Sequence, residues 1–275
     1  MTPATSEPAG QRARGEPGWL ARTVASEWTK LRSVRSTWWC AAVGAGAMLV
    51  FAGLMGYTKQ SAIAEDPASA AGVSVTQLAS HGIFYLVQFA VLALAALAGA
   101  GEYANRGIVV TLQTTPRRGR VLAARTLVAA AVAFALGTLA SALGLATLGA
   151  LIGGPTGAGV GESLSMAVRA GVCMALFAVT VVGIGTALRS VAGTITAGFA
   201  LLLVGPLILQ LSGVLWLDDL AAHLPGYAGL EFYSGGDAGL YTAAHDSAPV
   251  LLSSLAGWAL AAQLVGYAEL QGRDV

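Results

Sequence analysis

Charged side chains are scarce. Fifteen Lys and Arg with fourteen Asp and Glu make up 11% of the 275 residues, against about 25% in an average soluble domain. A water-soluble globular enzyme of this size is all but excluded, because it needs more polar surface than that. Cysteine is nearly absent. Cys40 and Cys173 both sit in apolar runs, so a disulfide framework is not expected and the two read as small apolar core residues. Histidine is limited to His81, His223 and His245, with no H-E-x-x-H and no cysteine cluster, so no metal site is expected. Only two lysines occur, Lys30 and Lys59, preceded by Thr29 and Thr58. A phosphate-cradling loop needs a glycine directly before its lysine, so the chain does not bind ATP through a loop of that kind. Nor is there a carboxylate inside the long apolar runs, which disfavours a proton-coupled carrier.

What is present is apolar: 56% of residues are hydrophobic and the mean hydropathy is +0.70. Disorder of the whole chain is thereby excluded, and an integral membrane protein remains. Charge runs out over 36–58, 67–101, 126–161, 170–188, 190–217 and 247–268. About 20 apolar residues cross the roughly 30 Å of hydrocarbon as a helix. The runs therefore predict six helices near 38–57, 82–101, 126–151, 168–188, 193–216 and 248–267. They are apolar all round, without the alternation of transmembrane strands. Pro206 is expected to kink the fifth helix. Gly137 with Ser141, and Gly149 with Gly153, have the four-residue spacing that lets helices approach closely.

Lys and Arg orient the chain. Arg12, Arg14, Arg22, Lys30, Arg32 and Arg35 precede the first run; Arg106, Arg117, Arg118, Arg120 and Arg125 lie between the second and third. With Arg189 and Arg273, thirteen of the fifteen basic residues fall on one side of a six-helix arrangement, and only Lys59 and Arg169 on the other. Both termini are expected to be cytoplasmic. The last long loop carries Asp218, Asp219, Glu231, Asp237 and Asp246 without a basic residue, and is expected to be external. Arg169, near the outer start of the fourth helix, reads as a snorkelling side chain. In the external loop, Leu224, Tyr227, Leu230, Phe232 and Tyr233 fit the boundary between water and lipid, either as an outward gate or as a passive cap. The Ala- and Gly-rich composition leads to the expectation of a GC-rich bacterial source.

Two segments carry more. From Trp19 to Trp39, Leu20, Val24, Trp28 and Leu31 recur at helical spacing, with Arg22, Lys30 and Arg32 on other faces. This predicts an amphipathic helix at the headgroup boundary leading into the first span; a basic flank that only sets topology is the plainer reading. Trp38 and Trp39 suit the aromatic belt. The second segment is GEYANRGIVVTLQTTPRRGRVLAARTL, from Gly101 to Leu127. Glu102 ends the second helix, and Gly107 permits a bend. Ile108, Val109 and Leu112 form a short apolar patch, Pro116 stops it, and Arg117, Arg118 and Arg120 hold the following chain at the inner face. A short helix on the membrane surface is expected there, against the plainer alternative of a basic loop.

The pattern E-x-x-x-x-G-x-x-x-x-L-x-x-x-P-x-R-x-x-x-L-x-x-[KR] after a second span resembles the permeases of type-2 ABC exporters. SEWTKLRSVRSTWW before the first span resembles that family's elbow helix, and the six-helix plan with a late external loop is similar. Ile108 stands where that family commonly has a hydroxyl residue, and Arg125 where lysine is frequent. The resemblance implies an all-α integral membrane protein of six transmembrane helices, with an N-terminal amphipathic elbow helix and a cytoplasmic coupling helix between helices 2 and 3. It divides the chain into a disordered cytoplasmic tail (1–18), an interfacial helix (19–37), a six-helix domain (38–267) and a cytoplasmic tail (268–275). It also implies ATPase-coupling roles for Glu102, Arg106, Gly107, Leu112, Pro116, Arg117 and Arg118, and elbow-helix roles for Trp28, Lys30, Leu31, Arg32 and Arg35. The chain would hold no cofactor; ATP and Mg would sit in a separate ATPase subunit. A second permease copy and the lipid membrane are the other implied partners, and nucleic acid is not one. The function implied is export of a hydrophobic or amphiphilic compound across a bacterial plasma membrane, with no catalytic residue in this chain. A membrane anchor or sensor that recruits a cytoplasmic partner without transport is the alternative.

Overall fold

The computed structural model describes residues 18–70, 72–104, 118–152, 159–236 and 246–272. Among them every regular element is a helix. In lipid this is the solution that satisfies each backbone group within its own segment. Among the described residues six helices are long and apolar enough to cross a membrane: Arg35–Glu65, Val75–Tyr103, Arg118–Ile152, Val160–Leu188, Val191–Leu211 and Ala248–Gly272.

The first helix, α1 (Trp19–Ser33), precedes them and ends at an extended Val34. The first span, α2 (Arg35–Glu65), starts immediately after this break. The indole N–H of Trp38 donates to the Arg32 carbonyl at 2.9 Å and clasps the bend. The second span begins earlier than hydropathy indicated, as α3 (Val75–Gly82). Ser74 caps it, its Oγ accepting from the Gln77 amide at 3.1 Å, and a capped helix tolerates the polar Thr76, Gln77 and Ser80 that dilute the apolar signal. A π-helical turn at Ile83–Val87 joins α3 to α4 (Gln88–Ala104). The third and fourth spans are α5 (Arg118–Ile152) and α6 (Val160–Leu188). Only Arg189, in the left-handed conformation (φ 53°), and Ser190 separate α6 from the fifth span. That span runs α7 (Val191–Phe199), a π-helical turn (Ala200–Val204) and α8 (Gly205–Leu211). Two short helices follow, α9 (Leu215–Ala222) and α10 (Pro225–Ser234), before the last span α11 (Ala248–Gly272).

The second and fourth spans form the centre, with about two thirds of their most apolar stretches buried; the first, fifth and sixth spans are the periphery. Glycine sets how closely these helices meet. A methyl on Gly183 would meet the α11 backbone at Ala262, 2.5 Å away, and one on Gly266 would meet the Gly183 carbonyl at 2.6 Å. Of the two small-residue pairs, Gly137 packs against Met174 and the Ala170 carbonyl, and Ser141 is fully buried. Gly149 faces open space, and Gly153 lies outside the described residues.

At Pro206 the fifth span departs from regular α-helix. The proline has no N–H to give the Leu202 carbonyl. The turn before it widens, and the Gly205 amide reaches back to Ala200. Gly226 of α10 packs against the Leu202 carbonyl so closely that a methyl there would overlap it. The Tyr227 hydroxyl donates to Gln210 Oε1 at 2.7 Å, and its ring lies 5.8 Å from that of Phe84 in the other π-helical turn.

The external-loop reading needs correction at this point. Every residue from Pro225 to Tyr233 is buried, Glu231 included. Tyr227, Leu230, Phe232 and Tyr233 are core residues wedged among the spans, not side chains turned outward, and Leu224 is half-buried. Replacing Gly226 by Ala forces a methyl into the Leu202 carbonyl and is expected to cost about 1–3 kcal/mol. Gly149→Ala, in open space, should leave stability unchanged or slightly raised. Thermal unfolding of the two variants in one detergent checks this, and equal melting temperatures would count against the docking of α10.

Candidate functional site

The most organised polar chemistry gathers at one end of the bundle, where α1, the end of α4 and the start of α5 meet. Within 19–39, Glu27 is the one acidic residue among Arg22, Lys30, Arg32 and Arg35. Helical spacing turns Glu27 inward, where it is 7% exposed, and places Lys30 one turn later on the same side. Arg125 lies two turns inside α5, seven residues after Arg118, and is 5% exposed. Glu102 lies in the last turn of α4.

These four side chains close a ring. Lys30 Nζ donates to Glu27 Oε1 at 2.7 Å and to Glu102 Oε1 at 2.8 Å. Arg125 Nε is 3.4 Å from Glu27 Oε2, and its Nη2 donates to Glu102 Oε2. Each carboxylate thus gives one oxygen to lysine and the other to arginine. Arg125 Nη1 reaches the Gly99 carbonyl at 3.5 Å. Two positive and two negative groups alternate, so the ring is neutral as a unit. A buried ion pair lacking a partner is costly, whereas a neutral, hydrogen-bonded set largely offsets its own desolvation.

Burial alone would lower the Lys30 pKa; the hydrogen bonds and charges of Glu102 and Glu27 outweigh it and hold the ammonium above its ordinary 10.5. A raised folded-state pKa stabilises the fold fully below the unfolded value, and that contribution is lost as pH rises through the folded one.

Other cations at this end cap the last span. Arg118 Nη1 donates to the Leu270 carbonyl at 2.5 Å and Arg189 Nη2 to the Glu269 carbonyl at 3.2 Å, where positive charge suits a helix C-terminus. The Arg189 guanidinium also lies 5.5 Å from the Tyr103 ring centroid. A cavity of about 550 Å³ opens beside the ring. Glu27, Lys30, Glu102 and Arg125 line it together with Leu94, Leu97, Val128 and Val191.

Of the expected site residues, the structure brings Lys30 and Glu102 into direct contact and sets Leu31 on the cavity wall. Trp28, Arg32 and Arg35 are exposed. Arg118 serves the last span. Arg106, Gly107, Leu112, Pro116 and Arg117 lie outside the described residues. Glu27 and the central role of Arg125 were not anticipated. The signals for them were a lone acid in a basic helix and an arginine two turns into a span. Both cysteines are free thiols, and no cluster of three metal-ligating side chains occurs among the described residues. No protein-family model matches the chain, and no curated protein matches it.

Arg125→Met leaves two carboxylates facing one lysine and is expected to cost about 3–5 kcal/mol. Lys30→Met removes an ammonium whose side chain is 38% exposed, so screening limits the loss to about 1 kcal/mol. Denaturation of both variants in one detergent tests the order; equal losses would mean that the ring is not held by its buried member. The stability difference between wild type and Lys30→Met should be constant at neutral pH and shrink only above about 10.5. A difference that already fades near pH 8 would contradict the pairing.

Proposed function

We propose that this chain is the permease subunit of a type-2 ABC exporter, driven by ATPase subunits on separate chains and paired with a second permease copy. The observation that supports it best is the four-residue ring. Glu102 and Arg125 bracket the segment that the resemblance makes the coupling helix, and Lys30 and Glu27 tie both to α1, the elbow helix on this reading. A push on the segment then acts on the end of the second span, the start of the third and the elbow together. ATP drives such a change only by favouring one arrangement over the other. Arg106, Gly107, Leu112, Pro116, Arg117 and Arg118 belong to this coupling region, and Trp28, Leu31, Arg32 and Arg35 to the elbow.

Sidedness follows from the basic residues. The ring, Arg118 and Arg189 share one end, which the excess of Lys and Arg assigns to the cytoplasm, with the termini. The expected membrane is the bacterial plasma membrane. Among the described residues the buried charged side chains are Glu27, Arg125 and Glu231. Glu27 and Arg125 belong to the ring; Glu231 lies in α10, outside the six spans. An apolar middle favours a hydrophobic or amphiphilic cargo such as a drug, antibiotic or lipid-like molecule.

The test is gentle purification of the tagged chain with mass spectrometry of what accompanies it. A stoichiometric ATPase with a phosphate-binding loop is expected, lost in Arg106→Glu/Arg117→Glu. Arg118 is left intact because its reversal would also break the contact with Leu270. Recovery of the chain alone, or with a partner that is not an ATPase, while a control ABC complex stays assembled, would replace this reading with that of an anchor or sensor subunit.

A further inference from the structure

The cavity beside the ring is amphiphilic along its length. Five of its lining residues come from α4: Leu94, Leu97, Ala98, Gly101 and Glu102. Their spacing makes a single stripe down one face of the helix. Eight residues separate Leu94 from Glu102, which is about 12 Å at 1.5 Å per residue, close to the hydrocarbon depth of one leaflet, about 15 Å. The Leu94 end is walled by aliphatic side chains. The Glu102 end carries Lys30 together with Ser36 and Thr37 from the first turn of α2. Val34 gives that helix no side-chain cap, and although the Thr37 amide donates to the Val34 carbonyl at 3.2 Å, the positive end of the helix dipole favours an anion here.

The charges that line the cavity cancel, and the surplus beside its polar end is positive. Arg32 and Arg35 are exposed and flank in sequence the lining residues Ser33 and Val34. The nearby acids, Glu27 and Glu102, are engaged by Arg125 and Lys30. A ligand therefore meets a neutral polar end with the start of α2 and two surplus arginines beside it, and aliphatic wall beyond.

We propose that this cavity is a binding site for one anionic glycerophospholipid, its phosphate seated at the start of α2 near Lys30, Ser36 and Thr37 and one acyl chain lying along the α4 stripe. This depends on the helices spanning a membrane and is independent of the exporter reading. A lipid held there touches α1, α2, α4 and the start of α7, and so joins the ring to the fifth span through Val191.

Native mass spectrometry of the delipidated protein, titrated with dioleoylphosphatidylglycerol or dioleoylphosphatidylcholine, tests the site. The anionic lipid is expected to give one adduct at about tenfold lower concentration, in keeping with the attraction of two nearby arginines for an anionic headgroup. Arg32→Gln/Arg35→Gln should erase that preference. Ala98→Trp should abolish the adduct by filling the cavity, and Leu264→Trp, on an exposed position of α11, controls for the bulk of the indole. Should Ala98→Trp fail to fold, the arginine pair on the surface still decides. Three outcomes would overturn the proposal. One is equal binding of the two lipids. A second is displacement of the adduct by glycerol 3-phosphate alone, which would mark a free-phosphate site. The third is loss of a dimer in Ala98→Trp with lipid binding intact, which would make a second copy of the chain the occupant.

Discussion

A guanidinium group two turns inside a membrane-length helix must be neutralised where it stands, because neither water nor a flexible stem carries its charge away. Arg125 is too buried to snorkel. Everything at that end of the bundle follows from meeting this demand. Glu102 supplies one carboxylate from the neighbouring span. The second comes from α1, which is not a span at all. An otherwise basic helix whose Leu20 and Trp28 remain exposed is thus pinned to the bundle by a single buried acid. Lys30 then neutralises the surplus carboxylate charge that two acids against one arginine would leave.

The opposite end is held by different means. There, Pro206 and the widened turn before it free a carbonyl, and Gly226 lets α10 approach it. The second π-helical turn, Ile83–Val87, meets α10 through Phe84 and Tyr227. Just beyond that turn, Gln88 is fully buried and its amide makes no hydrogen bond. An unmet amide costs about 1–3 kcal/mol, and π-helical turns recur at functional places. So the bundle combines a polar clamp at one end with an apolar wedge, seated on two irregular turns, at the other.

Much of this was legible in sequence, because hydrocarbon imposes one simple rule. Each charge-free run holds a spanning helix among the described residues, and Arg35, Arg118 and Arg189 stand at span ends. The fourth helix ends at Leu188, where its charge-free run ends. Failures came where polarity and burial part company. Val75–Gly82 was overlooked because Thr76, Gln77, Ser80 and His81 dilute the hydropathy of a helix that Ser74 caps. Apolar residues of Pro225–Tyr233 read as lying at a boundary between water and lipid because they fall in an acidic loop. The burial of this segment is decided by Gly226 and by a carbonyl more than twenty residues earlier, which no local pattern reveals. Glu27 was passed over because it sits in a basic helix, although its being the only acid there is the reason that it has a partner elsewhere.

The geometry of the ring also bears on how motion would pass through it. Each carboxylate binds both cations through different oxygens, so sliding α4 against α5 strains contacts to both cations together instead of one pair at a time. Such a set has few intermediate arrangements: it is closed, or it has opened far enough for water to solvate four charges. Opening replaces hydrogen bonds in a buried setting with hydration, and the two nearly balance for a neutral set. A difference of a few kcal/mol is within what a ligand binding one state preferentially can supply. Under the exporter reading, a neutral ring at this position is therefore better suited to transmit ATP binding than one strong isolated salt bridge. An isolated pair would leave each charge to be hydrated separately, and α1 would not have to move with the spans.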